Sequence, residues 1–180
     1  MGSKVFVKDL DDLFGACREP ERCTHAETHK RPESLTKLDD ESAAHIRAIM
    51  LAAETVPLVR GLFGQVPLLW IVDEAGDIYI SLEEIVTLDS LRLLRPRSRR
   101  DDAREGETKL GHPALVGESN RARIGGELCY DPGWGVQIEG WYLSNASGRY
   151  GVKAGLNDQH LRNVVAKFAE FGIEVRPVFY

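Results

Sequence analysis

The run "QVPLLWIVDEAGDIYISLEEI", starting at Gln65, narrows the choice of folds more than any other stretch. Two β-rich segments are separated only by Asp73-Glu74-Ala75-Gly76-Asp77, a gap too short for a crossover helix, so they pair antiparallel as a hairpin. A second hairpin is expected over residues 121–131 and 136–143, turned by Pro132-Gly133-Trp134-Gly135. Helical periodicity is confined to two places. Asp39 and Asp40 offer cap oxygens to a helix carrying Ala43, Ile46, Met50 and Ala53, which Pro57 discourages from continuing. Asn157 or Asp158 caps another, with Leu161, Val164, Val165, Phe168 and Phe171 as its stripe and Gly172 as its exit. The closing "IEVRPVF" reads as a strand, and Pro177, which lacks a ladder donor, places it at a sheet edge.

The expected fold is therefore α+β: an antiparallel sheet built from two β-hairpins plus a terminal strand, packed against two main helices. Residues 1–40 are polar and aperiodic and read as a loop-rich arm, while 41–180 form a single α+β domain. Between about 89 and 109, Arg92, Arg95, Arg97, Arg99 and Arg100 precede Asp101, Asp102, Glu105 and Glu107, a block expected to be a solvated, charged connector.

A hydrophobic fraction of 43% over 180 residues is ample for one core. The longest apolar runs fall short of the roughly 20 residues that span a bilayer, so no membrane role is expected. No cleavable signal is apparent, and the expectation is a cytoplasmic protein, or one exported by a dedicated bacterial secretion system that needs no such signal. The net charge of −5 argues against extensive nucleic-acid binding, which draws on clustered Lys and Arg. No glycine-rich phosphate loop matches a nucleotide-binding pattern.

Several constellations could carry chemistry. Cys17, Cys23, His25 and His29 offer zinc-type donors, but the gap between the cysteines is wider than in zinc hairpins, so no metal is assigned and the thiols are read as incidental. "HAE" at His25 lacks the downstream cysteine pair that a zinc deaminase needs. Cys129 with His112 could form a nucleophilic pair, although a thiol inside a strand is more simply a packed one.

The second hairpin divides into faces. Ala122, Ile124, Leu128 and Tyr130 share one, with Val136, Ile138 and Tyr142 opposite them in a register pairing Leu128 with Ile138; Arg123, Glu127, Gln137 and Glu139 gather on the other. Around this hairpin lie His112 in "LGHP" and the cluster "GWYLSNASGRYG", with Asn145, Ser147, Arg149 and Tyr150. Two readings stand together. As a pocket, His112, Glu127, Arg149 and Tyr150 are catalytic candidates, and Arg123, Gln137, Glu139, Asn145 and Ser147 bind substrate. As a plain turn, Gly148 supplies positive φ, Asn145 and Ser147 satisfy the backbone, and Arg149 pairs with Glu127.

The succession "GHPALVG", "ARIGGEL", "WYLSNASGRYG" and the final helix resembles a C-terminal domain of bacterial polymorphic toxins and secreted effectors, over about residues 109–180. There a G-E-L strand leads to an N-x-S-G-[HR]-Y turn, and many members carry His where this chain has Arg149. By this resemblance His112, Glu127, Asn145, Ser147, Arg149 and Tyr150 are the characteristic positions, and the implied context is bacterial conflict. The expected activity is metal-independent chemistry on a nucleotide-containing substrate, either RNA cleavage or NAD cleavage with ADP-ribosyl transfer, with NAD as a possible substrate and Gln137 to Glu139 resembling a Q-x-E element. The alternative is a non-enzymatic protein-binding module, an adaptor or immunity-type protein, with Trp134, Trp141 and Tyr142 as its interface. Either function implies a protein partner.

Overall fold

The structure, a computed structural model, describes residues 7–117, 119–133, 139–151 and 155–180. Its elements run α1 (Val7–Phe14), α2 (His25–His29), β1 (Thr36–Lys37), α3 (Asp40–Thr55), α4 (Pro57–Phe63), β2 (Leu68–Asp73), β3 (Ile78–Leu82), β4 (Glu84–Thr87), β5 (Leu93–Pro96), β6 (Glu107–Leu110), β7 (Ala122–Asp131), β8 (Gly140–Ser144), α5 (Asp158–Glu170) and β9 (Arg176–Val178), with a 3-10 turn at His112–Leu115 before β7. Six strands form one sheet in the order β1-β3-β2-β7-β8-β9, and three more form a small sheet, β5-β4-β6. The α+β expectation holds, as do the β2–β3 and β7–β8 hairpins, with Gly76 at φ 86° in the first turn. Only β9 runs parallel to its neighbour, because α5 carries the chain back from β8.

Both long helices start where their caps require. The Asp39 side chain accepts from Ser42 N and the Asn157 side chain from His160 N, each reciprocated as a capping box. Their stripes, Ala43, Ile46, Met50 and Ala53 on α3 and Leu161, Val164 and Phe168 on α5, are buried against Trp70, Val72, Ile124, Leu128 and Leu143 of the sheet. This is the main core. The other sheet face carries a smaller one, in which Leu69, Ile71 and Ala122 meet Leu115, Val116 and Tyr150.

The structure corrects three expectations. Leu128 pairs with Leu143, not Ile138, and Ile138 and Val136 lie outside the described residues. Gly140, at φ 98°, breaks the alternation on which the expected register relied, so Trp141 faces the main core and Tyr142 the opposite side. Trp141 also donates from Nε1 to Met50 O at 3.3 Å, and it cannot serve as an exposed interface aromatic. Second, the charged block at 89–109 is not a mobile connector: it folds into β5 and the start of β6, stitched by Arg95 to Asp101 and Glu107 (2.8 and 2.9 Å) and by Arg97 to Glu83 (2.6 Å). The two signs are adjacent in sequence because they pair within one small sheet. Third, the N-terminal segment packs closely on the rest. Buried Glu84 accepts from Glu33 N, Ser34 N and Ser34 Oγ at 2.7–2.9 Å, Arg18 bridges to Ala122, and Arg31 donates to Leu115 O.

Candidate functional site

The three motifs around the second hairpin pack as one unit, for a steric reason. A Cβ on Gly126 would fall 1.8 Å from Ser144 O, and one on Gly151 would fall 2.0 Å from Asn145 O. Only glycine lets the 145–151 turn fold back so closely, and Gly125 N then donates to Tyr150 O at 3.0 Å. Gly148 has no positive φ and open space around it, so the expected role for it passes to Gly151, which is needed for close approach. Ser147 Oγ accepts from Tyr150 N, and Asn145 Oδ1 accepts from Tyr180 N, fastening the turn to the chain end.

His112 lies over the same glycines, with Cδ2 3.1 Å from where a Cβ on Gly125 would be. Its Nε2 is 2.9 Å from Gly126 O. A carbonyl only accepts, so Nε2 carries the hydrogen and Nδ1 is the basic nitrogen. Burial holds the imidazole below its ordinary pKa, against opposing pulls from the Gly126 carbonyl, Glu83 and Glu27, so it is neutral at pH 7.

Glu127 projects from the same face of β7, two residues and about 7 Å along the strand. Its carboxyl is half-buried and forms no ion pair among the described residues. The Cys129 thiol donates to its Oε2 at 3.6 Å. Burial raises the Glu127 pKa, Cys129 and Arg99 oppose that, and Glu83 reinforces it. Around it, where the small sheet meets the large one, stand Glu83, Arg97, Arg99, Cys129 and Tyr142; Arg99 Nη2 donates to Tyr142 Oη at 2.8 Å. We call this the inter-sheet cluster. Burial, then the neighbouring Glu127 charge, pushes the Cys129 thiol up to about 11, so it is a packed thiol and not an activated nucleophile.

The remaining candidates are placed elsewhere. Arg149 is ion-paired to buried Glu27, which also accepts from Gly111 N (3.2 Å) and from Thr24 N and Oγ1 (2.9 and 3.0 Å); the pairing with Glu127 does not form. Tyr150 is fully buried and donates to Asn120 O at 2.6 Å. Arg123 lies on the helical side, bound to Asp11, Gly15 O and Glu74 O, because a one-residue bulge between Val72↔Ile124 and Asp73↔Ala122 reverses its facing. Glu139 lines a separate cleft of about 300 Å³ with Glu54, Trp141 and Glu174. Gln137 and Trp134 lie outside the described residues. Among the described residues no group of three or more His, Cys, Asp or Glu side chains is placed to hold a metal ion, and the His25 and His29 rings lie with centroids 4.0 Å apart.

Two substitutions separate scaffold from site. Tyr150→Phe orphans the Asn120 carbonyl and is expected to cost about 1 kcal/mol in urea unfolding. His112→Gln keeps a donor near Gly126 O but removes the titratable ring. The neutral ring is favoured in the fold, so wild-type stability falls as pH drops below about 6.5. The Gln variant is expected to flatten that slope in melts from pH 8 to pH 5.

Arg97, Arg99 and Tyr142 were missed as site residues. A signal was present: Arg95, Arg97 and Arg99 recur at spacing two, the period of a strand face, where the charge block suggested a connector.

No family model matches the chain, and neither curated proteins nor solved structures show a significant match to it.

Proposed function

We propose that the chain is an effector-type enzyme domain whose inter-sheet cluster acts, without a metal, on a nucleotide-containing substrate. The observation that carries this reading is Glu127: a half-buried carboxyl with a raised pKa, left without an ion pair although Arg97 and Arg99 are close. A fold-stabilising glutamate would gain from such a pair, and a working acid gains from lacking it. His112 adds a neutral imidazole with Nδ1 as base. In RNA cleavage His112 Nδ1 takes the 2′-hydroxyl proton, that oxygen bonds to phosphorus, and protonated Glu127 gives its proton to the departing 5′-oxygen. In NAD cleavage ionised Glu127 steadies the cationic ribose as nicotinamide leaves and water or a target side chain takes its place. The toxin-domain resemblance supplies the context of bacterial conflict and a protein target, and an exported role belongs to the same reading. No helix among the described residues is long and apolar enough to cross a membrane.

A second reading, a protein-binding module, is favoured by a different observation. Leu51, Leu58 and Leu62 on α3 and α4 are 61%, 84% and 56% exposed, apolar side chains that belong to neither core.

One assay separates the two. The protein is incubated with NAD and with total RNA, and nicotinamide and RNA fragments are followed. Either product, lost in Glu127→Gln, supports the enzyme; neither product at micromolar protein supports the binding module.

A further inference from the structure

We infer that Arg99 is the seat for a phosphate group, a site that rests on the functional reading of the inter-sheet cluster but requires no turnover. In the same block Arg95 is committed to Asp101 and Glu107, Arg97 to Glu83 and Arg104 to Asp101, while Arg92, Arg99 and Arg100 form no ion pair with a described residue. Of these three, Arg99 is the one whose guanidinium is hydrogen-bonded to a described side chain, although its residue is exposed. An exposed guanidinium normally ranges through solvent; this one is held. Its backbone N donates to Gln65 O at 2.7 Å and its Nη2 to Tyr142 Oη at 2.8 Å, and its side chain also meets the Cys129 thiol.

Both groups it touches are neutral. Burial, then Cys129, raises the Tyr142 phenol above its usual range, and the Cys129 thiol stays protonated. Among the described residues no carboxylate lies within ion-pair distance of Arg99, and the bonds to Tyr142 and Cys129 leave part of its five-donor fork uncommitted to any described side chain. Glu127 accepts from the same Cys129 thiol and feels the Arg99 charge without forming an ion pair with it, so an arginine and a carboxyl stand unpaired in one cluster. A planar fork near a half-buried acid fits an oxyanion whose neighbouring atom receives or loses a proton, which is the chemistry of a phosphate ester. A carboxylate ligand shares the charge, and the test distinguishes it.

The test titrates the full chain with ADP, pyrophosphate and succinate by calorimetry in low salt, with circular dichroism and melting curves on every variant. ADP and pyrophosphate are expected to bind, succinate to bind much more weakly, and Arg99→Gln to weaken ADP by roughly tenfold or more. Arg99→Lys is expected to retain part of the affinity. Arg104→Ala, which removes an exposed arginine of the same block, is expected to change it less than twofold. ADP binding unaffected by Arg99→Gln in a folded variant overturns the inference. So does equal loss in Arg104→Ala, or tighter binding of succinate. ADP bound through Arg99 without cleavage of NAD or RNA upholds the seat while removing the enzyme reading.

Discussion

Glu127→Gln is expected to reduce turnover by about two to four orders of magnitude, the usual worth of a positioned general acid or base, while the protein melts at a higher temperature at neutral pH. The second half of this result distinguishes a working carboxyl from a structural one. Burial favours the protonated form of Glu127, and its folded pKa lies above the value of about 4.3 in an unfolded chain. The stability it contributes is therefore fully present below about pH 4.3 and is lost as pH rises through the folded pKa. Glutamine does not titrate, so the advantage of the variant grows from pH 4 to pH 8. The groups that face the carboxyl, Glu83, Arg97, Arg99 and Cys129, are common to both proteins, and their contributions cancel to first order. Should the variant melt lower at pH 8, Glu127 anchors the fold and the catalytic assignment is wrong.

Gly126→Ala is expected to be the most damaging small substitution in the chain. The new methyl would meet three backbone atoms, Ser144 O at 1.8 Å, Ser144 C at 2.8 Å and Asn145 Cα at 3.0 Å, none of which can swing aside. Relief requires parting β7 from β8 where Glu127 pairs with Ser144, and it also shifts the carbonyl that orients His112. Overpacking of this kind costs at least about 3 kcal/mol, and insoluble protein is the expected outcome. Gly148→Ala, in the same motif but with open space around it, is expected to stay within about 0.5 kcal/mol of wild type. Similar stability for the two variants would mean that the motifs do not pack as described.

Much of the fold was legible because its signals are local. The caps at Asp39 and Asn157, the stripes of α3 and α5 and the five-residue turn at Gly76 each depend on residues within a few positions. The register of β7 with β8 was not, because Gly140 interrupts a pattern that alternation alone extrapolates. Nor was the facing of Arg123: a single extra residue in β7 turns it from Glu127 toward Asp11, and nothing in its neighbours' chemistry announces a bulge. For the site, proximity in sequence was a poor guide to shared chemistry. His112 and Glu127 do share a sheet face, because Gly125 makes room for the ring. Arg149 and Tyr150, equally prominent in the motif, are instead taken up by Glu27 and Asn120. The partner of Arg149 comes from α2, 122 residues earlier, in a segment with no periodic pattern to tie it to the hairpin. Arg99 reaches the cluster from a segment whose charges resemble a solvated linker, in a turn just after β5 that is held by Gln65 O and Tyr142 Oη, residues far from it in sequence.

The most direct measurement is the titration of Glu127 itself, followed through the carboxyl carbon of selectively labelled protein by NMR, with Glu127→Gln to assign the signal. A midpoint clearly above the ordinary glutamate range, displaced when ADP is added, is the result this account predicts. A midpoint at or below that range, indifferent to ADP, would show a carboxylate already satisfied by its surroundings and would contradict the assignment of the inter-sheet cluster as the working site.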